Sequence, residues 1–214
     1  MSAEITAHGP RPGVAGLVDR ARVFRPLVKA GQLAVTGGYV RGLNRRLAAD
    51  LAAGPHDFVL ELGCGDAPLL GHLQPRRYAG LDINEGSLKA ARRKHGGDGR
   101  EFVEADVTTA PLTHWRDADA VVCSAVFHHL GDQQVLDLVE RVFEETGADR
   151  IVGTDGVMVG PFRRAIVWLD EGEPIRPKED LFALLGGSAK VQETWSFDVP
   201  FGTVHEFGFE LSRG

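Results

Sequence analysis

Cysteine is scarce in this chain, with two among 214 residues. Cys64 and Cys123 lie within or beside apolar runs, without CxxC spacing or a neighbouring histidine that would indicate a metal site. We therefore expect neither a disulfide framework nor a bound metal. The small number of thiols fits a reducing compartment.

Long apolar runs are missing as well. No stretch approaches the roughly 20 apolar residues of a membrane span, and the first residues lack the apolar core of a signal peptide. The net charge of −6 and the charged fraction of 25% are ordinary, so nothing attracts a polyanion to the whole surface. We expect a cytoplasmic protein with no membrane or nucleic-acid partner.

The length and a hydrophobic content of 43% predict one main domain with modest additions. Residues 1–13 contain prolines and glycines and are predicted to be a flexible tail. Residues 14–54 have helical spacing of apolar residues and end at Gly54-Pro55, which predicts an N-terminal helical cap. Residues 55–214 form the predicted main domain.

In the main domain, short apolar runs alternate with helical stretches, which favours a parallel sheet covered on both faces. The fold class is therefore α/β: a Rossmann-like, seven-stranded, mostly parallel sheet with an antiparallel C-terminal hairpin. The segment APLLGHLQP is predicted to be the first helix of the domain. The predicted strands are FVLELG, RYAGLDI, EFVEADV, DAVVCSAVF and DRIVGTDG, followed by the hairpin strands KVQETWSFDVPF and GTVHEFGFELSR.

The end of the first strand carries the pattern Glu61-Leu-Gly63-Cys-Gly65. Two glycines permit a tight turn and let a ligand approach the backbone where a side chain would collide. A helix beginning near Pro68 would direct its first N–H groups at the same place. Since ligands of open α/β sheets bind at the carboxyl ends of strands, this turn is the predicted ligand site.

Two common phosphate-binding motifs are absent from this turn. A Walker loop requires Gly-Lys-Ser/Thr, and the dinucleotide fingerprint requires Gly or Ala at the position of Pro68. The carboxylate of Glu61 would also repel a diphosphate. A carboxylate at this place suits a ligand with a cationic group.

The pattern E-L-G-C-G-D-A resembles the first motif of the class I S-adenosylmethionine-dependent methyltransferases, with Ala67 in place of the third glycine. Asp82, which ends RYAGLD, matches the position of the acidic residue that binds the ribose hydroxyls in this family. Asp106, in EFVEADV, is placed as the residue that contacts the adenine amino group. The segment DAVVCSAVFHHL resembles the fourth-strand segment of the small-molecule members. The resemblance extends over residues 57–155.

The resemblance implies S-adenosylmethionine as the cofactor, with S-adenosylhomocysteine as its product. Ile83 would lie against the adenine face, and Ser124 or Ala125 would offer backbone groups to the methionine part. The simpler alternatives are a capping or solvated carboxylate for Glu61, a turn residue for Asp82, a helix N-cap for Asp106 and a strand end for Ser124. The implied cofactor-binding residues are Glu61, Gly63, Gly65, Asp82, Ile83, Asp106, Val107 and Ser124.

The candidate catalytic residues follow the fourth and fifth strands. The imidazole of His128 or His129 could take a proton from a hydroxyl or amine, and Asp155 could hold a histidine or the acceptor. Alternatively, one histidine caps the next turn and the other packs. Methyl transfer also works by alignment alone, because the sulfonium is already an activated leaving group.

The acceptor is predicted to be a small molecule with an oxygen, nitrogen or carbon nucleophile. Residues 20–46 carry basic but no acidic side chains, which indicates a solvated helical face or a site for an anionic acceptor. Neither the Asn/Asp-Pro-Pro-Tyr/Phe motif of amine-directed nucleic-acid enzymes nor a Pro-Cys nucleophile is present. The alternatives are RNA or protein methylation, or a non-catalytic S-adenosylmethionine-binding protein whose acceptor cleft is blocked by Phe127, Trp168 or the amino-terminal helices.

Overall fold

The computed structural model describes residues 41–52, 57–158, 176–198 and 204–213. The chain divides between Gly42 and Leu43 into two units, and all described residues except Arg41 and Gly42 belong to the second. The tail at 1–13 and most of the cap at 14–54 lie outside the described residues. The predicted domain boundaries therefore stay predictions.

The strands of the described chain belong to one sheet, and they are β1 (Phe58–Leu62), β2 (Arg77–Asp82), β3 (Arg100–Glu104), β4 (Ala120–Ser124), β5 (Arg150–Met158), β6 (Lys190–Asp198) and β7 (Val204–Ser212). Their order is β3-β2-β1-β4-β5-β7-β6. Neighbours among β1 to β5 are parallel, while β7 is antiparallel to both β5 and β6. The predicted mixed sheet with its C-terminal hairpin is confirmed.

The strand order reverses between β1 and β4. After β1 the chain builds β2 and β3 outward on one side, and it then returns to place β4 on the other side of β1. Leu62 of β1 pairs there with Cys123 of β4. A reversal of this kind opens a crevice outside the carboxyl ends of the strands.

Helices pack on both faces of the sheet. Val59 of β1 shares one core with Leu88, whereas Leu60 shares the other core with Leu138, as alternation along a strand requires. No helix in the described part of the chain is long and apolar enough to cross a membrane. The helices of the described chain are α1, whose described part covers residues 41–51, α2 (Glu85–His95), α3 (Asp132–Glu145) and α4 (Lys178–Leu185).

The predicted first helix of the domain is a single 3-10 turn, Pro68–Gly71. Leu69 and Leu70 are buried, but Gly71 weakens helix propagation and Pro75 disfavours helical backbone in the residue before it. The prediction of a longer helix was wrong for this reason. The N–H groups that the N-terminus of a longer helix would have directed at a ligand must be replaced by side chains and by the backbone of the turn.

The C-terminal hairpin anchors α1. Asp50 Oδ2 accepts hydrogen bonds from Trp195 Nε1 at 2.6 Å and from Thr194 Oγ1 at 2.8 Å. The guanidinium of Arg46 lies 5.0 Å from the centroid of the Phe197 ring. Arg46, one of the basic residues considered for an anionic acceptor, therefore contacts the hairpin.

Candidate active site

Glycine is needed at the two positions of the turn after β1 for different structural reasons. Both have left-handed backbone, with φ of 73° at Gly63 and 55° at Gly65. A Cβ on Gly63 would lie 2.6 Å from Cγ2 of Val126, whereas a Cβ on Gly65 would meet nothing within 4 Å. Gly63 thus permits close packing of the turn on the segment after β4. Gly65 leaves an open space at the carboxyl edge of the sheet.

Ala67 occupies the position of the third glycine in the family pattern. It also has left-handed backbone, with φ 55° and ψ 52°, and its methyl group is buried. Left-handed backbone costs a residue with a Cβ about 1–2 kcal/mol. The turn therefore keeps a glycine-like conformation although the third glycine is absent.

Asp82 connects the end of β2 to this turn. Its Oδ2 accepts a hydrogen bond from Gly65 N at 2.7 Å, and its Oδ1 accepts one from Asn84 N at 2.8 Å. A carboxylate oxygen has more than one lone pair, so each oxygen has capacity for a further donor. The Asp82 carboxylate is held directly beside the open space at Gly65.

Ile83 follows Asp82 and is 71% exposed. It is the one large hydrophobic side chain among the described residues that is largely exposed to solvent. A single exposed apolar residue is ordinary on a protein surface. Its position is informative, since it is adjacent to a fixed carboxylate at the carboxyl edge of the sheet. It offers an apolar surface for a flat ring.

Asp106 lies in the segment after β3, which is joined to β2 by the hydrogen bond from Ala105 N to Asp82 O. Asp106 is exposed, and its Oδ1 accepts from Thr108 N at 2.9 Å and from Thr108 Oγ1 at 2.7 Å. These bonds hold the pKa of Asp106 below its ordinary value. The alternative of a helix N-cap is wrong, because the side chain of Asp106 closes a turn on Thr108 and no helix begins there. Val107 beside it packs half-buried on the core.

The segment after β4 is tied to β5. Ser124 Oγ lies 3.1 Å from Thr154 Oγ1, and Ala125 N donates to Thr154 O at 2.8 Å. Ala125 is exposed and has left-handed backbone with φ 55°. Strained backbone of this kind persists where neighbouring contacts hold it and is frequent at ligand sites.

His128 and Asp155 come together across β4 and β5. His128 Nδ1 lies 2.5 Å from Oδ1 of Asp155, and that oxygen also accepts from Gly156 N at 2.9 Å. Asp155 is buried, while His128 is partly exposed. The exposed ring of His129 lies 4.0 Å from the His128 ring, centroid to centroid. The structure thus places all three catalytic candidates beside one another.

Glu61 is placed differently from the other predicted ligand residues. It is buried within β1 and accepts a hydrogen bond from the Tyr78 hydroxyl. Burial raises its pKa from 4.5 to about 8, with a smaller contribution from the charge of Asp82. Glu61 therefore lies beneath the turn, inside the core.

Tyr78 was not identified from the sequence, although the register explains its contact with Glu61. Glu61 pairs with Gly80 on the neighbouring strand. A Cβ on Gly80 would lie 3.0 Å from the Tyr78 ring and 2.7 Å from the Cys64 sulfur. The missing side chain at Gly80 leaves room for the tyrosine to reach the carboxyl group.

Arg176 is a second residue whose role the sequence did not indicate. Its guanidinium donates to the carbonyl oxygens of Phe127, at 3.0 Å, and Leu130, and Nε lies 2.5 Å from Oδ1 of Asp132. The carbonyls lie at the start of, and directly after, the 3-10 turn Phe127–His129. Arg176 fixes the turn that carries both histidines.

Several residues considered from the sequence lie outside the described residues. They include Trp168 and the basic residues of the segment 20–46 that precede Arg41. Phe127 is described and packs in the core, where its ring stacks on Phe209 at 5.5 Å between centroids. Both cysteines are described and are free, buried thiols.

Residues 60–149 match the family described as "Methyltransferase domain". The fatty-acid O-methyltransferase of Mycolicibacterium smegmatis is 37% identical over 68 residues, which is 30% of this chain. The match spans 24% of that relative's length.

Two solved structures show the same fold. The magnesium protoporphyrin IX methyltransferase of Synechocystis PCC 6803 with bound S-adenosylhomocysteine has a TM-score of 0.61 and 16% identity, covering 84% of this chain and 85% of that one. The N-methyltransferase NodS of Bradyrhizobium japonicum WM9, also in complex with S-adenosylhomocysteine, has a TM-score of 0.64 and 13% identity, covering 82% and 86%. These likenesses show a Rossmann-like methyltransferase fold.

Proposed function

We propose that this chain, which has the Rossmann-like methyltransferase fold and a methyltransferase domain in residues 60–149, moves the methyl group of S-adenosylmethionine to an oxygen, nitrogen or carbon of a small molecule. The observation that carries the proposal is the open space at Gly65 beside the fixed carboxylate of Asp82. A nucleoside that enters this space can present two ribose hydroxyls to the carboxylate.

The other residues at this edge fit the remaining parts of the cofactor. Ile83 offers its exposed side chain to one face of the adenine, and Asp106, with Val107 beside it, offers an acceptor to the amino group. Ser124 and Ala125 lie where backbone groups can contact the methionine part. When bound, S-adenosylmethionine supplies a methyl group activated by a positively charged sulfur. Glu61 lies beneath the turn with its pKa raised to about 8, so its carboxyl group is neutral near pH 7 and supports the turn through its contact with Tyr78.

The acceptor side supports proton removal. With Nδ1–H of His128 donated to Asp155, Nε2 is the nitrogen that can accept a proton. A hydroxyl or amine acceptor would lose its proton to this nitrogen as the methyl group arrives. The same alignment serves an acceptor that is already ionised, for which His128 would instead position the anion.

The described residues leave little room for an acceptor behind the paired side chains of His128 and Asp155. A cavity of about 10 Å³ lies there, bounded by Phe127, Asp155, Arg176 and Phe207 among others. This volume suits one water molecule. In this proposal the acceptor approaches His128 from the open edge of the sheet. A cytoplasmic location and the absence of a nucleic-acid partner stay predictions from the composition.

Replacing Asp82 tests the cofactor site. We expect Asp82→Ala to weaken binding of S-adenosylhomocysteine by on the order of 1–3 kcal/mol, because charged hydrogen bonds to the ribose are lost. Calorimetry measures the change, and Asp117→Ala, which removes an exposed carboxylate paired with Arg77, is the control. Equal affinities of wild type and Asp82→Ala would contradict the ribose assignment.

Replacing His128 tests proton removal. With labelled S-adenosylmethionine and a panel of long-chain fatty acids, phenols and primary amines, we expect His128→Gln to lower kcat on a phenol or amine by about 100-fold or more. A fatty acid is already ionised at neutral pH and has no proton for His128 to remove. On a fatty acid the same variant should therefore raise KM instead of lowering kcat. His114→Gln, an exposed histidine elsewhere, is the control. An unchanged kcat and KM on every acceptor that wild type methylates would exclude His128 from the reaction.

A further inference from the structure

The segment from Asp106 to Leu112 connects β3 to the 3-10 turn Thr113–Trp115. Thr109 N and Ala110 N donate to Asp106 O at 3.1 and 2.8 Å, so the segment starts with a tight turn. Leu112 at its other end is buried in the core. We call residues 106–112 the base loop, because it carries the residue that the proposed function places at the adenine amino group.

Arg141 of α3 binds the base loop through its backbone. Its Nη1 donates to Thr108 O at 2.8 Å and to Val107 O at 3.3 Å, and its Nη2 donates to Ala110 O. The side chain is 20% exposed. A guanidinium can serve three carbonyls in one plane because its N–H groups form a rigid fork, and a lysine ammonium cannot.

A second side chain of α3 completes the attachment. Glu145, one helical turn after Arg141, forms an ion pair with Arg141 Nε at 3.3 Å. Its other oxygen accepts a hydrogen bond from Leu112 N at 2.5 Å. The pair therefore holds the base loop at its middle and at its end.

These contacts lead directly to Asp106. Arg141 holds the carbonyl of Thr108, and Thr108 in turn donates both its N–H and its hydroxyl to Oδ1 of Asp106. The orientation of the Asp106 carboxylate thus depends on the position of Thr108. An exposed carboxylate without such support would rotate freely.

We propose that Arg141 is a positioning residue that sets the base specificity of the cofactor site, by holding the base loop so that Asp106 accepts a hydrogen bond from the amino group of adenine. The proposal rests on the proposed function, since it requires the nucleoside at this edge. A fixed acceptor discriminates against a base that carries an oxygen at the amino position, because two acceptors then face each other.

The test compares S-adenosylhomocysteine with its deaminated analogue S-inosylhomocysteine by calorimetry. Wild type should prefer the adenine compound by about tenfold or more, through one charged hydrogen bond gained and one repulsion avoided. Arg141→Gln should reduce this preference by about fivefold or more, and Arg141→Lys should give an intermediate value. The matched control is Arg213→Gln, since Arg213 donates to the Phe143 carbonyl of the same helix. It should keep the preference.

The ratio of the two affinities separates specificity from a general loss of stability. If wild type binds neither compound, the proposed function fails. If wild type binds and Arg141→Gln keeps its preference within about twofold, which is under 0.5 kcal/mol, Arg141 has no role in base recognition. Should Arg141→Gln not fold, Arg141→Lys decides by the same criterion.

Discussion

Glu61→Gln is expected to make the protein more stable at pH 8, although it removes an ionisable group from the predicted ligand motif. Burial raises the pKa of Glu61 from 4.5 to about 8. The folded protein therefore holds this proton up to about pH 8, while the unfolded chain releases it near pH 4.5. Wild type loses on the order of 4 kcal/mol of unfolding free energy across this window as pH rises.

Glutamine has the shape of the protonated carboxyl group and no proton to lose. The groups that act on Glu61 are Tyr78, which donates a hydrogen bond, and the carboxyl of Asp82, and both stay in the variant. We therefore expect the stability difference between variant and wild type to be small below pH 4.5 and to grow towards pH 8. Urea unfolding of both proteins from pH 4 to 8 measures it.

The control for this prediction is Glu104→Gln, which removes an exposed carboxyl at the end of β3. It should leave the pH dependence of stability close to that of wild type. If Glu61→Gln and wild type show parallel pH dependence between pH 4.5 and 8, the Glu61 carboxyl does not hold its proton in the folded protein.

Gly65→Asn is expected to abolish cofactor binding and to leave the fold intact. Asparagine adopts left-handed backbone more readily than other residues with a side chain, and a Cβ at Gly65 meets no atom of the protein within 4 Å. Its side chain would therefore fill the space that the proposed function gives to the nucleoside. We expect the Kd for S-adenosylhomocysteine to rise by about 100-fold or more, which corresponds to roughly 3 kcal/mol.

Two matched variants distinguish blocking from unfolding. Gly71→Asn adds the same side chain at an exposed, unobstructed position a few residues along the chain, and it should bind as wild type does. Gly63→Ala should instead destabilise the fold, because its Cβ would lie 2.6 Å from Val126. Gly65→Asn with wild-type affinity in calorimetry would show that the ligand does not occupy this space.

Much of the fold could be predicted because the strands are short apolar runs with clear ends. Phe58–Leu62 is buried along its whole length, and a strand of this kind is recognised in the sequence as a short, largely apolar run. The first helix was overpredicted because Leu69, Leu70 and Leu73 suggest a helical face. A periodicity of apolar residues does not reveal that Gly71 and Pro75 end the segment after one 3-10 turn.

The places of the candidate site residues Gly65 and Asp82 could be predicted, because a motif fixes the end of each strand that precedes them. The contacts of buried groups could not be predicted. They depend on the strand register and on which position of the neighbouring strand lacks a side chain. Tyr78 reaches Glu61 since Gly80 leaves room, and Arg141 reaches the base loop from a helix that lies about 30 residues later in the chain. No local spacing encodes either contact.

A crystal structure of the chain grown with S-adenosylhomocysteine tests the central claim most directly. The account predicts the ribose hydroxyls on the carboxylate of Asp82, the adenine across Ile83 and the nucleoside over Gly65. A ligand bound elsewhere, or a nucleoside at this edge that makes no contact with Asp82, would contradict it.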